Sequence, residues 1–186
     1  MQNRFKRPIE SMIQGMAYWI AYSCETNALK FVEAEAVGEI ARILQSKISF
    51  PARIKREVSY KSICGTIKNN LRADLAIYCN NQCQCLIEVK LSEDTNGGYK
   101  SDIEKLSQIK QIYKGIDCYV ILLYRKSCSI ESPKRFVSSE GKALRSTLDI
   151  QTSRNNCNKV RVRRVANAIT SKDAKKMKRA ICIEVL

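Results

Sequence analysis

Two stretches decide how this chain folds: Arg72-Ala73-Asp74-Leu75-Ala76-Ile77-Tyr78, and Cys85-Leu86-Ile87-Glu88-Val89-Lys90, with Asn80-Asn81 between them. Both are apolar, β-branched or aromatic, which predicts two strands, and the Asn pair predicts the turn that joins them. In an antiparallel hairpin the start of the first strand lies beside the end of the second. Asp74 is therefore expected near Glu88 and Lys90. Side chains alternate along a strand, so Glu88 and Lys90 are expected on one face.

Two carboxylates and an ammonium at one sheet edge suit a hard divalent cation. Mg²⁺ takes oxygen ligands, typically one or two protein carboxylates, with water and phosphate completing the shell. A neighbouring lysine can orient or deprotonate an attacking water and offset charge on a phosphate. These residue types fit phosphodiester hydrolysis. The competing reading is a surface salt bridge, Lys90 with Asp74 or Glu88, of small energetic consequence.

Outward from the hairpin, the pattern continues. Pro8 to Tyr22 carries Ile9, Met12, Ile13, Met16, Trp19 and Ile20 at helical spacing. A second helix is expected from about Ala28 to Lys47, capped by Asn27, with Leu29, Val32, Ala36, Ile40 and Ile43 as its buried stripe. Glu33 and Glu39 flank that stripe. Either could lean toward a site beside the sheet, and Glu39 is slightly favoured. Arg53 to Tyr60 alternates as a strand, with Glu57 in it; Cys64 to Asn70 reads as a loop, with Lys61, Lys68 and Arg72 around it to hold a nucleic-acid backbone.

After Lys90, Leu91 to Lys100 reads as a loop able to act as a lid. Ser101-Asp102-Ile103-Glu104 matches a capping box for a helix to about Lys114. Asp117 to Tyr124 is an almost continuous apolar run, expected as a central strand buried on both faces.

This arrangement resembles the PD-(D/E)xK nuclease superfamily. The family pattern is an Asp, a gap, then acidic-x-Lys on the next strand, matched here by Asp74 and Glu88-Val89-Lys90. Ala73 stands where many members have the proline. The resemblance covers roughly Leu29 to Tyr124. It implies an α/β fold with a three-layer restriction-endonuclease-like core (αβββαβ), a mixed central sheet flanked by helices. It further implies metal-dependent DNA cleavage. Asp74 and Glu88 would hold one or two Mg²⁺ (or Mn²⁺) ions with the Val89 carbonyl, and Lys90 would position water. A helix glutamate such as Glu39 would join the site. The family often places a Gln or Lys near the metal from the following helix, which points to Lys105 and Gln108. The alternative function is a catalytically inactive nucleic-acid-binding or partner-docking protein of the same fold. One such site cuts one strand, and a homodimer is one way to cut both.

The remainder of the chain is basic. Lysine and arginine total 33 against 18 acidic residues, a net charge of +15, and the pI is near 9.5. A polyanion is the expected partner, with RNA not separated from DNA by any residue. Glu140 to Leu148 reads as a short helix. Lys159 to Val165 reads as a strand with a cationic face carrying Arg161 and Arg163. A lysine-rich stretch from Lys172 to Arg179 includes Lys175 and precedes a strand-like close. One domain is expected: residues 1–27 as a helix packing on a 28–124 core, and 125–186 as a basic extension.

The chain has no histidine, which excludes Ser-His-Asp and Cys-His catalysis and His-ligated metals. Nine cysteines without a signal-peptide pattern point to reduced thiols in a cytoplasm. Zinc held by Cys79, Cys83 and Cys64 is a minor alternative, because no second close pair follows. The apolar run from Met12 to Tyr22 is too short to span a bilayer, so no membrane partner is expected.

Overall fold

The computed structural model describes residues 4–26, 32–65, 71–92, 98–128, 133–152, 156–170 and 173–186, with the side chains of 25–26, 92, 126–127, 170 and 173–176 excepted. Two Asn residues in the left-handed region, Asn80 (φ 50°) and Asn81 (φ 62°), close the central hairpin. Asn tolerates that conformation, and consecutive positive φ values match the right-handed twist of the strands. The hairpin joins β2 (Arg72–Cys79) to β3 (Gln82–Ser92). A register shift between Ile77 and Tyr78 lets β3 begin at Gln82, earlier than its apolar run. β1 (Arg53–Ser59) pairs antiparallel with β2.

On the other side, β3 pairs in parallel with β4 (Asp117–Cys128), from Cys85 opposite Asp117 to Ser92 opposite Tyr124. A parallel pair needs a long crossover, and α4 (Tyr99–Ile112) lies within it. β4 is buried on both faces from Cys118 to Leu123, as its unbroken apolar run predicts. The chain is thus an α/β protein with a seven-stranded mixed sheet, ordered β1-β2-β3-β4-β7-β6-β5.

Alternation along the strands sorts two cores. Leu75, Ile77, Ile87, Val89, Tyr119 and Ile121 face α1 (Lys6–Thr26) and α2 (Glu33–Lys47). Leu86, Val120, Leu122 and Ile183 face α4 and the short α3 (Tyr60–Cys64). The two long N-terminal helices touch closely at Gly15, where a Cβ would lie 3.2 Å from Ile43 Cδ1. Each fully buried aliphatic side chain contributes about 1.5–3 kcal/mol of transfer free energy.

Several expectations are corrected. Tyr60 does not continue β1; it opens α3. The described part of the second helix starts at Glu33, with Val32 as its N-cap and the Glu35 carboxylate accepting the Val32 N–H; Asn27 lies outside the described residues. Ser101 is inside α4, whose N-cap is Gly98. Residues 140–148 form no helix. Gly141 turns the chain at φ 75°, Val137 bridges Ala143, and β5 (Thr147–Gln151) pairs with β6 (Cys157–Thr170). The lysine-rich stretch and the closing apolar run are one strand, β7 (Asp173–Val185), inserted between β4 and β6. Pairing on both sides from Arg179 to Val185 makes it a central strand. Among the described residues no helix is long and apolar enough to cross a membrane.

Candidate active site

The last ladder pair of β2 and β3 toward the hairpin's open end is Leu75 with Ile87. Beyond it, a side chain replaces the backbone ladder: Asp74 Oδ2 accepts the Val89 N–H at 2.7 Å. This bond satisfies a main-chain donor that would otherwise be orphaned and fixes the Asp74 carboxylate against Glu88-Val89-Lys90.

Glu88 and Lys90 share parity with Leu86 and so project toward α3 and α4. Glu88 is buried at 4% exposure, and the Tyr60 hydroxyl donates to its Oε1. Burial pushes the Glu88 carboxyl up to about 8. The Tyr60 hydrogen bond opposes that rise, the charges of Asp74 and Asp102 add to it, and Lys105 opposes it. Tyr60 is itself pushed up, first by burial and then by Glu88.

Lys90 reaches two carboxylates. Its Nζ lies 3.6 Å from Asp102 Oδ2 on α4 and 3.6 Å from Glu33 Oε2 at the start of α2. Burial pulls the Lys90 ammonium down, but Asp102, Glu33, Asp74 and Glu88 outweigh it and leave the ammonium raised. Asp102 is 2% exposed. Its Oδ1 accepts from Lys105 Nζ at 2.6 Å, while its Oδ2 has no hydrogen-bond partner and faces Lys90. Glu33 Oε2 also takes the Leu91 N–H at 3.4 Å.

The expected residues divide into groups. Asp74, Glu88, Val89, Lys90 and Lys105 come together. Glu39 does not join them; its carboxylate is held by Arg42 at 2.6 and 2.8 Å, and Glu33 occupies the place beside Lys90. Arg72 is exposed, 3.6 Å from Glu57, itself at a positive φ of 49°. Lys61 on α3 and Gln108 on α4 are exposed. Arg161 is half-buried on β6, and Arg163 pairs with Glu184 at 2.5 Å. Lys68, the Lys175 side chain and most of the expected lid, residues 93–97, lie outside the described residues.

Tyr60 and Asp102 were not expected here. Asp102 had a detectable signal, since Asp102, Leu106 and Ile109 fall at i, i+4 and i+7, the spacing of the buried stripe. Tyr60 had none, because its alternation with Val58 continues the strand pattern.

Among the described residues no group of three His, Cys, Asp or Glu side chains could by itself hold a metal ion. Cys79 belongs to the α1–α2 core, whereas Cys64 and Cys83 pack on the α4 side. The sheet therefore separates the proposed zinc ligands, and all nine cysteines are free thiols. Comparison with protein-family models, with curated proteins and with solved structures finds no match.

Proposed function

We propose that the chain is a divalent-metal-dependent endonuclease of the restriction-endonuclease-like type that hydrolyses phosphodiester bonds in DNA. The observation that carries the reading is the meeting of Asp74, Glu88 and Lys90 at one end of the sheet, with Asp102 behind them. Support also comes from the net charge of +15, which suits a polyanionic substrate. Nine free thiols fit a reducing cytoplasm.

The donor set fits a hard cation. A buried carboxyl raised to about 8 beside Asp74 and Asp102 is short of positive charge. Asp74 and Glu88 would hold Mg²⁺ or Mn²⁺ with the Val89 carbonyl. Two carboxylates leave the remaining positions to water and phosphate, the usual arrangement for Mg²⁺. When bound, the ion supplies Lewis-acid stabilisation of charge on the transferring phosphoryl group.

The chain's own groups have separate tasks. Asp102 and Glu33 keep Lys90 protonated at neutral pH, which makes it an orienting and charge-stabilising group rather than a base. Tyr60 fixes the rotamer of Glu88. The core beneath Val89 keeps the two strands in register, so Asp74 meets Glu88 without a loop rearrangement.

The rival reading is a catalytically inactive nucleic-acid-binding or partner-docking protein. Two observations favour it: among the described residues no group of three His, Cys, Asp or Glu side chains could by itself hold a metal ion, and Lys90 is engaged in ion pairs with Glu33 and Asp102. Incubation of plasmid with wild type, Asp74→Ala and Lys90→Ala in Mg²⁺ or Mn²⁺ separates the two. The nuclease reading expects nicking by wild type, lost in both variants while DNA binding persists. Binding without cleavage by wild type rejects it.

A further inference from the structure

The C-terminal half holds a second feature that the site above does not use. β5 covers the outer edge of β6 only from Cys157 to Arg161. Beyond Arg161, the segment leading into β5 follows the same line, and the Asn167 side-chain amide reaches the Gly141 carbonyl at 3.5 Å. That contact continues the register in which Thr147 faces Arg161. Between these two points the segment lifts off β6. A cleft of about 730 Å³ opens there, lined by Lys142, Arg145, Arg163 and Arg164 with Glu140.

Its charges are unevenly matched. Lys142 pairs with Glu140 at 2.7 Å and Arg163 with Glu184 at 2.5 Å. Arg145 and Arg164 have no acidic partner among the described residues, and both are exposed. The register of β6 against β7 shifts between Val162 and Arg164, the kind of irregularity that re-aims side chains at binding sites. Four cations against two acids leave a net of two positive charges around a polar cleft.

We propose that this cleft binds phosphate esters, with Arg145 and Arg164 as the principal contacts. The net charge of +15 makes a nucleic-acid backbone the expected source of those esters. Glu88 faces Val120, which faces Ile183, which faces Val162; Lys90 leads likewise through Leu122 and Ile181 to Val165. The cleft is therefore level with the Asp74–Glu88–Lys90 site in the sheet, but Arg164 pairs with Cys182 and Gln14 of α1 lines the cleft, so it opens on the α1–α2 face, opposite Glu88 and Lys90. That choice of source rests on the nuclease reading; the affinity of the cleft for phosphate esters does not.

The test measures binding of a fluorescein-labelled single-stranded oligonucleotide by anisotropy, in EDTA, from 50 to 200 mM salt. Wild type is compared with Arg145→Gln/Arg164→Gln and with a charge-matched control, Arg7→Gln/Lys47→Gln, which flank Phe50 rather than this cleft. Loss of two phosphate contacts is expected to reduce the salt slope by about 1.4 and the affinity by about 25-fold at 0.1 M salt, with a much smaller change in the control. If oligonucleotide binding is unchanged but ATP or pyrophosphate affinity falls in the cleft variant, the cleft stands and its ligand is a free phosphate ester. Equal losses in both variant pairs, or no loss for any of these ligands, overturn the proposal. Because no metal is present, failure of wild type to cleave DNA would reject the nuclease reading and leave this result standing.

Discussion

Glu88→Gln is expected to make the metal-free protein more stable at alkaline pH. Glu88 is buried beside Asp74 and Asp102, and its carboxyl is raised from the usual 4.5 to about 8. Between these values the folded chain holds a proton that the unfolded chain has released. The Glu88 contribution to stability therefore falls as pH rises through this window and levels off above about 8. At about 1.4 kcal/mol per factor of ten, the full penalty is on the order of 5 kcal/mol, and roughly half of it develops above pH 6. That upper half is the cleaner part to measure. The chain has no histidine, and Asp117, which burial pushes up to about 6, adds the same background to both proteins. Gln keeps an acceptor for the Tyr60 hydroxyl but has no charge to bury. Urea unfolding at pH 6, 7, 7.5 and 8 in EDTA, below the range where the buried, raised thiols weaken both proteins alike, should show wild type losing clearly more stability than Glu88→Gln. Saturating Mg²⁺ should recover the loss in wild type and not in the variant. Parallel pH profiles for the two proteins would refute the placement of Glu88 in a carboxylate-rich, water-poor site.

Three further outcomes follow from the same geometry. Asp102→Asn removes one of the two carboxylates 3.6 Å from Lys90, so the Lys90 ammonium should titrate at lower pH; on the nuclease reading the alkaline limb of a cleavage profile should move down, whereas a purely structural role would leave it in place. Glu33→Gln should weaken cleavage several-fold, while Glu39→Gln removes an exposed pair with Arg42 and should change stability by less than about 1 kcal/mol and leave cleavage unchanged. Ile121→Ala, on the fully buried strand β4, should cost about 2–5 kcal/mol, read as a shifted urea midpoint with unchanged slope.

The hairpin was legible because its signals are local. Turn chemistry at Asn80-Asn81 and antiparallel geometry place the start of one strand beside the end of the other, while the bulge between Ile77 and Tyr78, which no local signal marked, sets Asp74 level with Glu88. β4 was legible because an unbroken apolar run leaves it no solvent face. Less was legible in the C-terminal half. The charges of Lys172 to Arg179 hid a strand because β7 gains its order from ladders to β4 and β6 rather than from its own pattern. Residues 140–148 carry helix-compatible spacing, yet Gly141 and the pairing of Thr147 to Gln151 with β6 draw them into a turn and a strand.

The two helix glutamates mark the boundary most clearly. Glu33 and Glu39 are six residues and about 9 Å apart along α2, and both flank its buried stripe. Amphipathic spacing determines which face of that helix is buried, but not which of its turns lies beside the end of β3. Sequence alone determined the hairpin and the shared face of Glu88 and Lys90, because neighbouring backbone geometry imposes them. Only the tertiary structure decided that Glu33, Tyr60 and Asp102 complete the site, because their positions depend on how helices distant in the chain pack across the sheet.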